Sequence, residues 1–231
     1  MVEVRDTARV TDDGTVRGGD WVGSLDRTVY NDSLVADSDR LADAASAGDW
    51  PAVFRVLDDS TWIGVNQWRV GGKSWFAPLH QAAWHGADLE VVDGLLARGA
   101  WRSLREASGK LPVDIARERG HAHLLDRLGL PETSPREAER YAAWDEHLKR
   151  LVESRIARIE PVPLRYVSTE VVAREDLRPL WFPVPGMYGG FSIEVRNGGL
   201  FVESWSRVAE GSGQAHVITT AGAVLVDEGF V

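Results

Sequence analysis

One spacing constrains this chain more than any other. Ala77-Pro78-Leu79-His80-Gln81-Ala82-Ala83-Trp84-His85-Gly86 returns 34 positions later in looser form as Leu111-Pro112-Val113-Asp114-Ile115-Ala116, closed by Gly120. Proline suits the first position of a helix, where its missing N–H has no partner anyway and its fixed φ is already helical. Leu79, Ala82 and Ala83 then put small apolar side chains on one face, and Gly86 ends the helix in a conformation that a Cβ would oppose. Val91, Val92, Leu95 and Leu96 give a following helix its inward stripe, which Gly99 closes. Two short antiparallel helices cannot bury that surface alone, so units of the same kind must flank them.

The flanks carry such units. Asp37-Ser38-Asp39 supplies N-cap oxygens for a helix with Leu41, Ala44 and Ala45 on one face, ending at Gly48-Asp49. Pro51 opens a second helix with Val53, Phe54, Val56 and Leu57. Gly48 to Gly86 is 38 positions and Gly86 to Gly120 is 34, so the connection from Leu57 to Phe76 carries an insertion. Downstream, Gly120-His121 precedes Leu124-Leu125. Three units so related resemble ankyrin repeats, whose signature is Thr-Pro-Leu-His-x-Ala in about 33 residues. The resemblance implies a short helical solenoid over residues 37–130 that binds a protein partner through its hairpins and concave face. Ala77 and Leu111 stand where the family has a capping threonine, and Trp101 where the hairpin has an aspartate.

Beyond Leu130-Pro131 the repeats stop. Ser134 caps a helix with Pro135 at its first position. Tyr141, Trp144, Leu148, Leu151, Val152, Ile156 and Ile159 recur at helical spacing, which predicts one long amphipathic helix to about residue 159, an apt cap for a solenoid. After Pro161 and Pro163 the pattern is β: Tyr166–Val172, Leu180–Phe182, Phe191–Val195, Leu200–Trp205, Ala215–Thr219 and Ala223–Val226. Asn197-Gly198 marks a hairpin turn, since both residues tolerate positive φ, and Gly211-Ser212-Gly213 and Thr220-Ala221-Gly222 mark two more. The fold class is therefore α+β: a short ankyrin-type solenoid, a long helix and a small antiparallel sheet. Four regions follow: an N-terminal arm (1–36) with an Asp-Gly turn between Val10 and Val16, the repeats (37–130), a capping helix (131–160) and the β domain (161–231).

Composition narrows the function. The formal charge of −9 argues against wrapping nucleic acid by phosphate neutralisation and leaves open a basic protein partner. No apolar run is long enough for a membrane span, and the N-terminus lacks the pattern of a secretion signal, which gives a cytoplasmic expectation. The absence of cysteine excludes disulfides, thiolate metal sites and cysteine catalysis. Lysine occurs only at Lys73, Lys110 and Lys149 against abundant arginine, a bias that fits a GC-rich bacterial coding sequence.

Six histidines, His80, His85, His121, His123, His147 and His216, show no metal-ligand pattern. Gly186–Phe191 and Gly211–Gln214 lack the lysine and the strand–loop–helix context of phosphate-binding loops and read as turns. Ser212, His216 and Asp227 can be written as a triad, but their spacing gives no geometry for one. The expectation is a non-enzymatic protein with no cofactor and no metal. Tryptophan carries the positive signal. Five of the ten, Trp62, Trp68, Trp75, Trp84 and Trp101, crowd the stretch from residue 62 to 101. With Asn66, Gln67, Arg69, Arg102 and Arg105 they match the Trp/Arg composition of binding hot spots, and left exposed they exceed the apolar patch that a monomer tolerates. The opposing reading makes these rings a private core covered by the arm or the β region. A sharper form of the interaction reading is an inhibitor or immunity protein of a bacterial toxin, acting through these loops or through an acidic edge at Asp12-Asp13, Asp37-Ser38-Asp39 and Asp58-Asp59. The alternative is a small-molecule or catalytic β domain, with Trp181, Tyr188, Phe191, Trp205 and His216 around a pocket.

Overall fold

The structure, a computed structural model, describes residues 20–177, 179–207 and 212–229. The expected turn between Val10 and Val16, Asp12-Asp13 and Gly211 lie outside them. Three helix pairs come first: α1 (Asp32–Ala47) with α2 (Trp50–Asp59), α3 (Pro78–His85) with α4 (Leu89–Ala97), and α5 (Pro112–Arg119) with the short α6 (Leu125–Leu128). Each first helix ends on a left-handed glycine, Gly48, Gly86 or Gly120. At Gly86 the requirement is double: φ is +65°, and an added Cβ would meet the His121 ring at 2.4 Å.

Helix α1 starts five residues earlier than the sequence reading placed it, with Asn31 rather than the Asp37 cluster as its cap; the Asn31 Oδ1 accepts from Leu34 N–H at 2.7 Å. Asp37 and Ser38 are buried inside the helix instead. Ser38 Oγ donates to the Trp68 carbonyl and accepts from Val70 N–H, so it clamps the inserted connection between α2 and α3 onto α1. The Ala77 and Leu111 caps do lack a side-chain acceptor. Residues one turn on compensate in the reverse direction: His80 Nδ1 accepts from Ala77 N–H at 3.2 Å, and Asp114 Oδ2 accepts from Leu111 N–H at 3.1 Å.

Histidines fasten unit to unit. The Nε2 of His85 donates to the Ser46 carbonyl at 3.0 Å, and that of His121 to the Trp84 carbonyl at 3.2 Å. His80 is fully buried between its own helix and the Leu104 carbonyl, which accepts from Nε2 at 3.0 Å. Burial depresses its pKa to about 4; the Leu104 bond and Glu106 oppose that, and Arg165 adds to it.

Helix α7 (Pro135–Ile156) opens on a full capping box between Ser134 and Glu137 and buries Tyr141, Trp144, Leu148, Leu151 and Val152. The stretch expected to be a strand at 166–172 is instead helix α8 (Thr169–Arg174). Its β-branched residues favour a strand locally, but Asp145 of α7 accepts from Thr169 N–H at 2.7 Å and caps the helix from outside. Thr169–Val172 are buried beside α7 and the sheet, so tertiary contacts override local preference.

Five antiparallel strands follow in sequence order: β1 (Leu180–Val184), β2 (Gly189–Arg196), β3 (Gly199–Ser206), β4 (Ser212–Thr219) and β5 (Gly222–Glu228). Leu180, Phe182, Phe191, Ile193, Leu200, Val202 and Ile218 face α7 and α8 and form one core. A second core fills the helix pairs. The chain is α+β. Among the described residues no helix is long and apolar enough to cross a membrane.

Candidate functional site

The tryptophan belt faces inward. Trp68 is 1% and Trp101 4% exposed, and Trp21 from before the first helix packs on both, with ring centroids 4.9 and 5.9 Å away. Arg165, from the segment between α7 and α8, completes the cluster. Its guanidinium carbon lies 4.8, 4.3 and 4.7 Å from the Trp21, Trp68 and Trp75 rings. Two hydrogen bonds lock the arrangement: Arg165 N–H donates to Gly23 O and the Trp21 indole Nε1 donates to Arg165 O, each at 2.7 Å. Arg165 Nη2 donates to the Arg105 carbonyl, while Nη1 is buried without an acceptor. Burial lowers its pKa to about 9, and Glu106 opposes the shift. Trp75 is held at φ +58°, a rare conformation for so bulky a residue.

The open aromatic hairpin face expected from sequence is thus corrected, because the residues before α1 and those around Arg165 cover it. Trp62 is half-buried against the helical core. Asn66 bridges the loops, donating to Gly99 O and accepting from Trp101 N–H, and the buried Gln67 donates to Trp68 O. Arg69 pairs with Asp39 and Asp43, Arg102 donates to Gly129 O, and Arg105 pairs with Glu170. These polar groups serve the fold. The acidic edge is likewise engaged: Asp37 is buried and bonded to Arg40 and Ser60, Asp39 holds Arg27 and Arg69, and Asp58 holds Arg98.

Trp84 alone of the expected set presents a large aromatic surface, at 42% exposure. Helix α3 aims it outward, opposite the buried Leu79, Ala82 and Ala83. The Arg119 guanidinium stacks over it at 4.1 Å, and Phe76 meets it edge-on at 6.2 Å. Leu89, 40% exposed, opens the neighbouring helix α4. The sequence reading missed Arg119 and Phe76. The 34-residue recurrence of the Pro-start helix could have found the first, since α5 lies beside α3.

In the sheet, Phe191 belongs to the buried core, whereas Trp181 and Trp205 stack at 4.3 Å on the opposite face. Tyr188 is 76% exposed at the β1–β2 turn. His216 points towards α7, where burial, then Arg155, lowers its pKa. Five side chains divided in this way do not converge on one pocket. Ser212 is held by Arg155, and Asp227 pairs in register with Ala215, one residue out of phase with His216, so no triad forms. The Gly189-Gly190 pair admits close strands: a Cβ at Gly190 would meet the Phe182 carbonyl at 2.3 Å. Among the described residues, no group of His, Asp and Glu is placed to hold a metal ion. The chain matches no protein-family model and no curated protein.

Proposed function

We propose that this chain is a non-enzymatic protein-interaction module of ankyrin type, in which α1 to α6 form three repeats and the helix–sheet half caps them. The 34-residue recurrence, the Pro-start and Gly-stop punctuation and the unit-to-unit histidine bonds support the repeat reading. The partner surface is the outer face of α3 rather than the hairpin loops. One observation carries this: Trp84 stays open to solvent while Arg119 and Phe76 hold it in place. A pre-ordered Trp/Arg pair gives binding area at small entropic cost, which is the composition of interaction hot spots. The net charge of −9 favours a basic partner through electrostatic steering. An inhibitor of a bacterial toxin fits these traits and the arginine-rich composition, with a cytoplasmic site of action.

Capture from native lysate on the immobilised full chain tests the reading, with a Trp84→Ala/Arg119→Ala double variant as control. Proteins retained at moderate salt by the wild type and lost by the double variant are the expected result. Equal retention by both chains would sink the surface, and no specific retention would sink the module.

A further inference from the structure

Helix α7 treats its cations unequally. Arg150 pairs with Glu146 and Lys149 with Glu153, at the spacing that lets helix side chains meet. Arg136 and Arg140 form no ion pair or hydrogen bond among the described residues, although Glu137 and Glu139 share their turns. Glu137 is committed elsewhere, accepting from Ser134 N–H at 2.9 Å and Ser134 Oγ at 2.6 Å. Arg140 lies over the Trp144 and Tyr141 rings, 5.1 and 5.3 Å from their centroids. Its Nε is buried without an acceptor, and so is the Nε1 of Trp144, a residue only 1% exposed. Both residues line the same cleft of about 750 Å³, with Arg136, Glu137 and Glu139 beside them. Across it stand Gly198 of the β2–β3 turn and Thr219 and Thr220 of the β4–β5 turn. His147 ties that turn to the helix, donating from Nε2 to the Thr220 carbonyl at 3.4 Å.

Two guanidiniums without an ion pair, an orphaned indole N–H and the Thr220 hydroxyl on the opposite wall give the cleft more donors than its carboxylates take up. Glu137 is bonded to Ser134, and Glu139 forms no ion pair with either arginine among the described residues, while the Thr219 hydroxyl is engaged by Gly222 O and Ala221 N–H. Buried donors in native proteins find partners, and an exception calls for a group that supplies one. We propose that this cleft binds an oxyanion, the phosphate group of a small molecule. A carboxylate offers two coplanar oxygens, which a single guanidinium fork satisfies. Donors converging from a helix on one side and a turn on the other match the tetrahedral oxygens of phosphate. The cleft is larger than a phosphate, so an ester fits as well as the free ion. Glu137 in the lining and Glu139, exposed at the rim, oppose the anion and set a modest affinity.

The test is titration of the full chain with inorganic phosphate at constant ionic strength maintained with chloride, read by indole fluorescence and by thermal midpoint. A saturable response is expected, with stabilisation that grows with ligand over Kd. Arg136→Ala, a change on an exposed position, should weaken binding by tenfold or more, and Glu139→Gln should tighten it several-fold. Glycerol 3-phosphate separates the sources: tighter binding than inorganic phosphate marks an ester site, equal or weaker binding a free-ion site. A phosphate response no different from chloride, or one that both variants leave unchanged, would overturn the proposal.

Discussion

His80 makes the stability of this chain depend on pH in a calculable way. It is fully buried, accepts from Ala77 N–H through Nδ1 and donates to Leu104 O through Nε2, so the native state holds it neutral. Its pKa falls from 6.5 to about 4 on folding, chiefly because burial disfavours the cation. The unfolded chain therefore binds the proton more tightly, and stability rises with pH between about 4 and 6.5 and is lost as acid is added. At about 1.36 kcal/mol per pK unit, the ceiling is about 3.4 kcal/mol below pH 4, and the loss at pH 5 is about 2 kcal/mol. For a chain of this length that corresponds to about 4–8 °C in thermal midpoint. Asp145 works in the opposite direction, since its burial raises its pKa and protonation then favours the fold. The comparison that isolates His80 is His80→Gln, because glutamine at the third helical position keeps a reach-back acceptor and does not titrate. Midpoints measured from pH 7.5 to 5 should fall about 4–8 °C further in the wild type than in the variant. Parallel curves would refute the linkage, and a steeper fall in the variant would reverse its sign.

Two further substitutions report on the frame. Gly86→Ala should cost more than about 1 kcal/mol in urea denaturation, since φ is +65° and the new Cβ would strike the His121 ring. Glu170 is buried between the exposed Arg105 and the largely buried Arg174, 3.0 and 3.1 Å away, so Glu170→Gln should cost about 2–3 kcal/mol, with the Arg105 share weakened by salt and the Arg174 share largely retained.

Much of the helical half is legible in the chain, because its start and stop residues are local. Pro78 and Gly86, like Pro112 and Gly120, mark helix ends by backbone geometry alone, and no distant residue alters that. The strands show through their alternation, and Asn197-Gly198 places the β2–β3 turn. What the chain conceals is set by partners far away in sequence. Asp145 turns the β-prone 169–174 stretch into a helix from 24 residues upstream. Trp68 and Trp101 have the composition of a binding surface, and only the arrival of Trp21 and Arg165 makes them a core. Trp and Arg suit a hot spot and a buried cation–aromatic stack for the same reason, their large polarisable area, so composition cannot separate the two. Arg136 and Arg140 look like ordinary surface charge until the pairing of their helix neighbours shows the contrast.

The Trp21–Arg165 lock spans 144 positions, so no local segment of the chain can form it alone. On an emerging chain the three helix pairs can form locally, but Trp68 and Trp101 stay uncovered until Arg165 has been synthesised. Closing so long a loop costs chain entropy before any contact offsets it, which favours late closure. A chain truncated before Arg165 would leave an apolar aromatic seam in water, the kind of surface that chaperones hold and that drives aggregation. The tryptophans that seemed to advertise a partner therefore have one already, supplied by a segment far along the same polypeptide, and their fluorescence should report its arrival as the chain folds.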